Sequence, residues 1–407
     1  MTPRRVDLVS EHASPLAGLG GEDAGGQNVH VAALAEHLSY LGSDVTVLTR
    51  RDARHLPRLV ELCPGVVVDH VDAGPAEILP KDALFPHLPE LAAGLRRRWL
   101  ADPPDIVHAH FWMSGWAASQ AVPPDVPLVQ TFHALGVVKR RHQGAADTSP
   151  PERAAIEADL LQRADQVVAT CSDEESELLA LGADPDRITV VPCGVDTSAF
   201  RPRGPVGPGP RRERHRIVAI ARLVRRKGIE DLIRALPRVP DTELLVAGGP
   251  QGAAFARDPE VARLRRLAAR CGVPERVTLL GALPRHKIPP LLRSADVVVS
   301  VPWYEPFGIV PLEAMACGVP VVGSAVGGLL DTVQPERTGL LVPPRTPGAV
   351  AQALNRLLDN PSLRLRMGEE AVAVVRERFT WKQVAAATLD AYTRARVRRG
   401  EWWAVSA

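Results

Sequence analysis

A chain of 407 residues exceeds the size at which one hydrophobic core keeps growing, so two domains of roughly 200 residues each are expected. Hydrophobic residues make up 45% and charged residues 24%, which excludes global disorder. The 49 Lys plus Arg against 47 Asp plus Glu leave a formal charge of +2, which gives no charge argument for nucleic acid.

"MTPRRVDLVS" has two arginines but no apolar h-region, and no run in the chain approaches the roughly 18 apolar residues of a membrane helix, so neither export nor membrane insertion is expected. From "VDLVS" (6–10) onward, β-branched runs alternate with helical patterns: "DVTVLT" (44–49), "DIVHAH" (105–110), "PLVQTF" (127–132) and "QVVATC" (166–171). That alternation predicts βαβ units and parallel sheets. The first helix carries Val31, Leu34, Leu38 and Leu41 on one face and stops at Gly42. A first domain over 1–200 then gives way to "RPRGPVGPGPRRERH", a Pro-, Gly- and Arg-rich linker at 201–215. The alternation restarts with "RIVAIAR" (216–222), "ELLVAGG" (243–249), "VTLLG" (277–281), "DVVVSV" (296–301) and "PVVGS" (320–324), giving a second domain over 216–380. Ligands of such sheets bind at the carboxyl ends of strands, here in a cleft between domains. The tail, 381–407, reads as a terminal helix docked on protein, with its arginines solvated and its tryptophans packed. The five cysteines, at 63, 171, 193, 271 and 317, form no C-x-x-C pair; a reducing cytoplasm fits, with neither a zinc site nor a disulfide framework.

Four stretches carry candidate chemistry. In "GLGGEDAGGQNVHV" (18–31), Gly25 and Gly26 let backbone N–H groups approach an anion at a helix start, although the spacing is not G-x-G-x-x-G. In "TFHALGVVKRRHQG" (131–144), His133 follows a strand, where it can bond a hydroxyl or move a proton, with Lys139 near for an anion. In "AIARLVRRKGIEDLIRAL" (219–236), Arg222 closes a strand and Lys227 precedes a helix begun near Gly228, a pair that can converge on one diphosphate. In "WYEPFGIVPLEAMACGVPVVGS" (303–324), a helix is predicted to begin between Pro306 and Pro311, with Glu305 before it and Glu313 in or near its first turn. Carboxylates there accept hydrogen bonds from hydroxyls, and a nucleotide sugar supplies hydroxyls on both sides of a phosphate. His108 and His110 share a strand face but lack a third metal ligand, and "DPD" (184–186) reads as a turn before the strand "RITVVP".

Taken in order, "DAGGQNVHV", "TFHALGVVK", "VVPCGVD", "ARLVRRKG", "EPFGIVPLE" and "VGGLLDTV" resemble the retaining glycosyltransferases of family 4 over essentially the whole chain. The resemblance implies an α/β protein of GT-B fold: two Rossmann-like domains facing each other across a cleft, with the C-terminal helix crossing back to the first. It implies that Arg222 and Lys227 grip the donor diphosphate, Glu313 the ribose and Glu305 the donor sugar. The N–H groups of Phe307, Gly308, Ile309 and Val310 would line sugar and phosphate, while Gly25 and Gly26 close on the donor. His133 would contact the transferred sugar and Asn28 the acceptor. No divalent metal or other cofactor is implied, because cations and helix dipoles stabilise the departing nucleoside diphosphate. Retention is attributed to same-face attack, with a leaving-phosphate oxygen helping to deprotonate the acceptor.

In the branch of that family acting on inositol phosphate, basic and hydroxyl residues clamp the acceptor's phosphate; Lys81, Lys139 and Arg153 match its basic members. Phe111 stands where a tyrosine is expected, and Ala134 where Thr or Ser is expected. Each missing hydrogen bond to an anion weakens binding by roughly 1.5–3 kcal/mol, so an anionic acceptor and a more apolar one remain rivals. Leu330 replaces a proline common in the family, with no expected consequence. The expectation is a cytoplasmic, metal-independent, retaining glycosyltransferase using a UDP- or GDP-linked sugar and a small soluble acceptor, with a homodimer left open. A UDP-sugar 2-epimerase and a non-catalytic sugar-nucleotide-binding protein are the alternatives.

Overall fold

The computed structural model describes residues 3–16 and 26–406, without the side chains of residues 146 and 401–406. It divides into two compact units, Met1–Pro192 with Trp381–Ala407, and Cys193–Thr380.

The first unit is built on β1 (Arg5–Val9), β2 (Asp44–Arg50), β3 (Leu59–Cys63), β4 (Val66–Val71), β5 (Ile106–His110), β6 (Leu128–Thr131), β7 (Gln166–Ala169) and β8 (Ile188–Val190). Their order in the sheet is β3-β4-β2-β1-β5-β6-β7-β8. All neighbours run parallel except β3 and β4, an antiparallel pair joined at Pro64 and Gly65. The apolar run of β1 is buried on both faces, as a parallel strand between helical layers requires. The helix Gly26–Tyr40 buries Val31, Leu34, Ala35 and Leu38.

The C-terminal helix Trp381–Ser406 belongs to this unit and packs against the helix Gly26–Tyr40. Trp381, Val384, Ala391, Tyr392 and Ala395 join Val31, Leu34 and Leu38 in one core. Arg394 and Arg396 are exposed, as expected, but the helix's other two arginines are engaged: Arg399 bonds Asp165 at 2.6 Å, and Arg398 donates to the Asp186 carbonyl at 2.6 Å. The side chains of Trp402 and Trp403 lie outside the described residues.

The second unit holds β9 (His215–Ile220), β10 (Thr242–Ala247), β11 (Val277–Gly281), β12 (Val297–Ser300), β13 (Val321–Ser324) and β14 (Gly339–Val342). These form a fully parallel sheet ordered β11-β10-β9-β12-β13-β14. The division from the first unit falls after Pro192, and Val195 and Phe200 are already in the second unit's core. Of residues 201–215, Pro- and Gly-rich, 201–214 lack regular structure and His215 opens β9, yet the stretch is tied down along its length. The Gly207 amide donates to the Pro290 carbonyl at 3.1 Å, Arg293 reaches the Pro205 carbonyl at 2.8 Å, and Arg211 pairs with Asp296 at 2.5 Å. Their composition marks a lack of helix and strand, which is a different property from a lack of packing.

In each sheet the chain starts near the middle and winds outward in both directions. Strand order therefore reverses between β1 and β5 in the first unit, and between β9 and β12 in the second. The loops leaving such neighbouring strands diverge, opening a crevice at their carboxyl ends. Among the described residues no helix is long and apolar enough to cross a membrane.

Candidate active site

The second unit's switch point gathers the loops after β9 and β12. β9 ends at Ile220, so Arg222 is an exposed loop residue two positions beyond the strand rather than its last member. A short turn, Arg225–Lys227, leads through Gly228 into the helix Ile229–Ala235. Gly228 has φ +71°, and a Cβ there would lie 1.9 Å from the Val301 carbonyl oxygen. Only glycine allows that approach, which brings Lys227 beside the loop after β12. The Trp303 amide donates to the Arg226 carbonyl at 2.8 Å, joining the two loops.

The result is an ion pair between Lys227 Nζ and Glu305 Oε2, with the two side chains only 17% and 14% exposed. Burial pushes the Lys227 ammonium down from its ordinary value; Glu305 opposes that shift, while Arg226 and Arg222 add to it. Arg226 is lowered likewise by burial and by Arg222. Lys227 and Arg226 thus share one acidic partner with Arg222 as a further like charge beside them, and the surplus positive potential suits a polyanion. Glu305 is held from behind by "VGG": its carbonyl accepts from the Gly328 amide at 2.8 Å, and a Cβ on Gly327 would lie 2.2 Å from that same oxygen.

The helix Ile309–Ala316 starts at Gly308, which has φ +75° and provides no side-chain cap. Backbone N–H groups of its first turn and the positive end of its dipole therefore face whatever lies beyond the loop 305–308. Because the helix begins at Ile309, Glu313 falls in the second turn, not the first. It is 1% exposed and pairs with Arg285 at 2.5 Å, from the turn after β11. Burial raises the Glu313 carboxyl, and Arg285 counters.

The first unit's switch point differs in kind. His108 and His110 of β5 have ring centroids 4.2 Å apart, on one strand face as their spacing requires. His110 Nδ1 and His133 Nε2 are 2.9 Å apart, so one donates to the other. His30 packs edge-on to His133 at 5.1 Å and to Trp381 at 5.3 Å. His108 bonds the Tyr392 hydroxyl and the Thr131 hydroxyl, each at 2.8 Å. All four imidazoles are buried, and burial pushes each below its ordinary value, His30 to about 4 and His108 to about 3. They form a neutral hydrogen-bonding surface, and no grouping of His, Cys, Asp and Glu among the described residues could hold a metal ion. His133 and Phe111 both take positive φ, 62° and 81°. Such backbone is costly for residues with a side chain and concentrates at functional sites.

Around Phe111 lie the cations matched to acceptor binding. Lys81 Nζ and Arg153 Cζ are each 5.1 Å from its ring centroid. Arg153 bonds Glu157 at 2.7 Å and the Ala134 carbonyl. Lys139 bonds Ser149 and Asp147, each at 2.9 Å. Burial would raise the Asp147 carboxyl, but Lys139 and Ser149 together hold it at about 2. Asn28 is buried and donates to the Ser14 carbonyl at 3.0 Å. Gly26 opens the helix Gly26–Tyr40, whereas Gly25 lies outside the described residues.

The structure therefore brings Lys227 and Glu305 together beside residues 307–310, and Lys81, Phe111 and Arg153 into a separate constellation next to His133 and Ala134, while Asn28 is placed by its bond to Ser14. Sequence reasoning missed Arg226, Arg285, His30, Trp381 and Tyr392. Arg285 follows strand "VTLLG" and was reachable by the strand-end rule that found Arg222. Tyr392 was not, because nothing local ties it to a histidine 284 positions away.

Residues 24–199 match the model described as Glycosyltransferase Family 4, and residues 206–373 the model of Glycosyl transferases group 1. The D-inositol 3-phosphate glycosyltransferase of Acidothermus cellulolyticus is 40% identical over 98% of this chain and 92% of its own. That of Mycobacterium tuberculosis is 39% identical over 97% of this chain and 84% of its own. The solved sucrose-phosphate synthase of Thermosynechococcus elongatus aligns with TM-score 0.85 and 32% identity, covering 96% of this chain and 98% of that one. An Anabaena structure in complex with UDP-glucose shares the fold, with TM-score 0.70 and 21% identity over 95% of this chain and 99% of its own. The chain belongs to glycosyltransferase family 4, whose fold is GT-B, and is a glycosyltransferase.

Proposed function

We propose that this enzyme moves a hexose or related sugar from a nucleoside diphosphate, UDP- or GDP-linked, to a small soluble polar acceptor, with retention of configuration and without a divalent metal. The observation that carries the reading is the half-buried Lys227–Glu305 pair beside the uncapped helix start at Gly308. Arg222 and Lys227 neutralise the diphosphate, with charge-assisted bonds that strengthen as the leaving group gains charge. N–H groups at 307–310 line phosphate and sugar, and Gly25 and Gly26 close on the donor. Glu305 accepts from donor-sugar hydroxyls and Glu313 from the ribose. The neutral His133 bonds the transferred sugar near the reacting carbon without adding charge there. Asn28, Lys81, Phe111, Ala134, Lys139 and Arg153 form the acceptor side, and a leaving-phosphate oxygen assists deprotonation of the acceptor on the same face.

The names of the relatives, which use inositol 3-phosphate or make sucrose phosphate, support a polyhydroxylated acceptor. Incubation with UDP-, GDP- and ADP-sugars and candidate acceptors, with and without chelator, tests the proposal. Transfer with unchanged anomeric configuration, unaffected by chelation, is expected. An inverted product would overturn retention, dependence on added metal would overturn metal independence, and neither transfer nor donor hydrolysis with any donor would overturn the whole reading.

A further inference from the structure

Trp303, whose amide holds the Arg226 carbonyl, is also gripped through its side chain. The Arg345 guanidinium lies over the indole, with Cζ 4.0 Å from the ring centroid, and the indole N–H donates to Asp231 Oδ2 at 3.4 Å. Asp231 is 5% exposed on the helix Ile229–Ala235 that follows Gly228. Burial raises its carboxyl, and the indole, Arg234 and Arg345 oppose that shift. Arg345 belongs to the loop after β14, and β13 lies between β14 and β12 in the sheet. One indole therefore ties together the loops that leave β9, β12 and β14.

Arg345 is presented stiffly. Its loop reads Pro343-Pro344-Arg345-Thr346-Pro347, and three prolines in five residues leave the backbone few states. Thr346 Oγ1 closes the turn on the Pro344 carbonyl at 3.1 Å, and the helix Pro347–Leu358 follows at once. Arg345 itself has φ +57°, a left-handed conformation that costs energy in any residue with a side chain and concentrates at functional sites. Its residue is exposed, yet its cation rests on a tryptophan face, the aromatic surface that attracts a guanidinium most. Glu305 follows Trp303 by two positions, and Lys227 follows Arg226 by one. Fixing Trp303 therefore constrains both members of the Lys227–Glu305 pair.

We infer that Trp303 is a positioning residue for the diphosphate site, holding Lys227 and Glu305 in place, and that Arg345 and Asp231 act through it by clamping its ring. The inference rests on the assignment of Lys227 to the donor diphosphate.

Sugar transfer by the full-length protein, with whichever of the UDP-, GDP- and ADP-sugars it uses, tests the clamp. Trp303→Leu removes the ring and keeps the amide, and is expected to lower kcat/KM for the donor about tenfold while acceptor KM stays within about twofold. Trp303→Phe keeps an aromatic face for Arg345 and is expected to lose no more than about threefold. Arg345→Gln, at an exposed position where the fold is not at stake, is expected to lose about fivefold alone and less than about twofold in the Trp303→Leu background, because the cation acts through the ring. Donor kcat/KM within about twofold of the unmodified enzyme in Arg345→Gln, losses that multiply in the double variant, a Trp303→Phe loss as large as that of Trp303→Leu, or a loss that falls on acceptor KM would each overturn the inference and leave the glycosyltransferase reading intact. Absence of transfer and of donor hydrolysis by the unmodified enzyme would instead remove that reading, and the inference with it.

Discussion

The two switch points use opposite electrostatics. In the second unit, Arg226 and Lys227 crowd one carboxylate with Arg222 beside them, and a fixed helix start adds to their charge. In the first, four imidazoles are kept neutral by burial, and the cations near them are tied to Asp147, Glu157 or the Phe111 face. Charge held in a poorly solvated place acts strongly on a group whose charge changes during reaction, whereas neutral donors and acceptors discriminate among hydroxyls at little electrostatic cost. The same sheet topology therefore presents one surface suited to a diphosphate and one suited to a polyol.

The largest way to break this contrast is Gly228→Ala. A Cβ 1.9 Å from a backbone oxygen, at φ +71°, is expected to cost roughly 3 kcal/mol and to draw Lys227 away from Glu305. Thermal unfolding and activity should fall together. Lys227→Ala removes the charge while leaving the backbone, and turnover should fall about a hundredfold with acceptor KM little changed. An effect confined to acceptor KM would sink that assignment.

The first unit answers to pH. His30 has its folded value lowered to about 4 from an ordinary 6.5, so between those limits the unfolded chain binds more protons than the folded one. Its contribution to stability is present above pH 6.5 and is lost as pH falls toward 4. Asp7, raised by burial to about 6, works in the opposite direction, so the comparison must be differential. The stability gap between the unmodified enzyme and His30→Gln should narrow by about 2 kcal/mol between pH 7 and pH 5, measured by denaturant unfolding. The smallest effect expected is from Phe111→Tyr, which offers the acceptor site a hydroxyl. It should raise kcat/KM for D-inositol 3-phosphate by about tenfold if that acceptor's phosphate is bound there, and leave myo-inositol unaffected.

Much of this was legible in the sequence because parallel strands buried on both faces are written as uninterrupted apolar runs. "ELLVAGG" holds β10 but for its first residue and "PVVGS" holds β13, and every residue of both strands is buried. The β3–β4 hairpin was not, since its two short strands flank a Pro-Gly turn with no helix between them to set up the alternation. In the sites, residues next to a strand end or helix start were readable, which is why Arg222, Lys227, Glu305 and His133 stood out. Glu313, expected in or near the first turn, lies just past it, because Pro306 and Pro311 bracket the start without saying that Gly308 makes it. Pairings across the fold, such as Glu313 with Arg285 or His108 with Tyr392, have no local signature. They depend on which strands become neighbours.

The return of the last helix to the first unit has a consequence for how the enzyme is made. Trp381 and Tyr392 complete the core around Val31 and Leu38, yet a ribosome delivers them only after residues 193–380 have emerged. At about 5–20 residues per second, that leaves the first unit without its closing helix for roughly ten to forty seconds, with apolar surface exposed beside an already foldable second unit. The nascent chain is therefore most vulnerable to aggregation in its earliest-made half, and chaperone occupancy during synthesis is expected to concentrate there until the final turn is released.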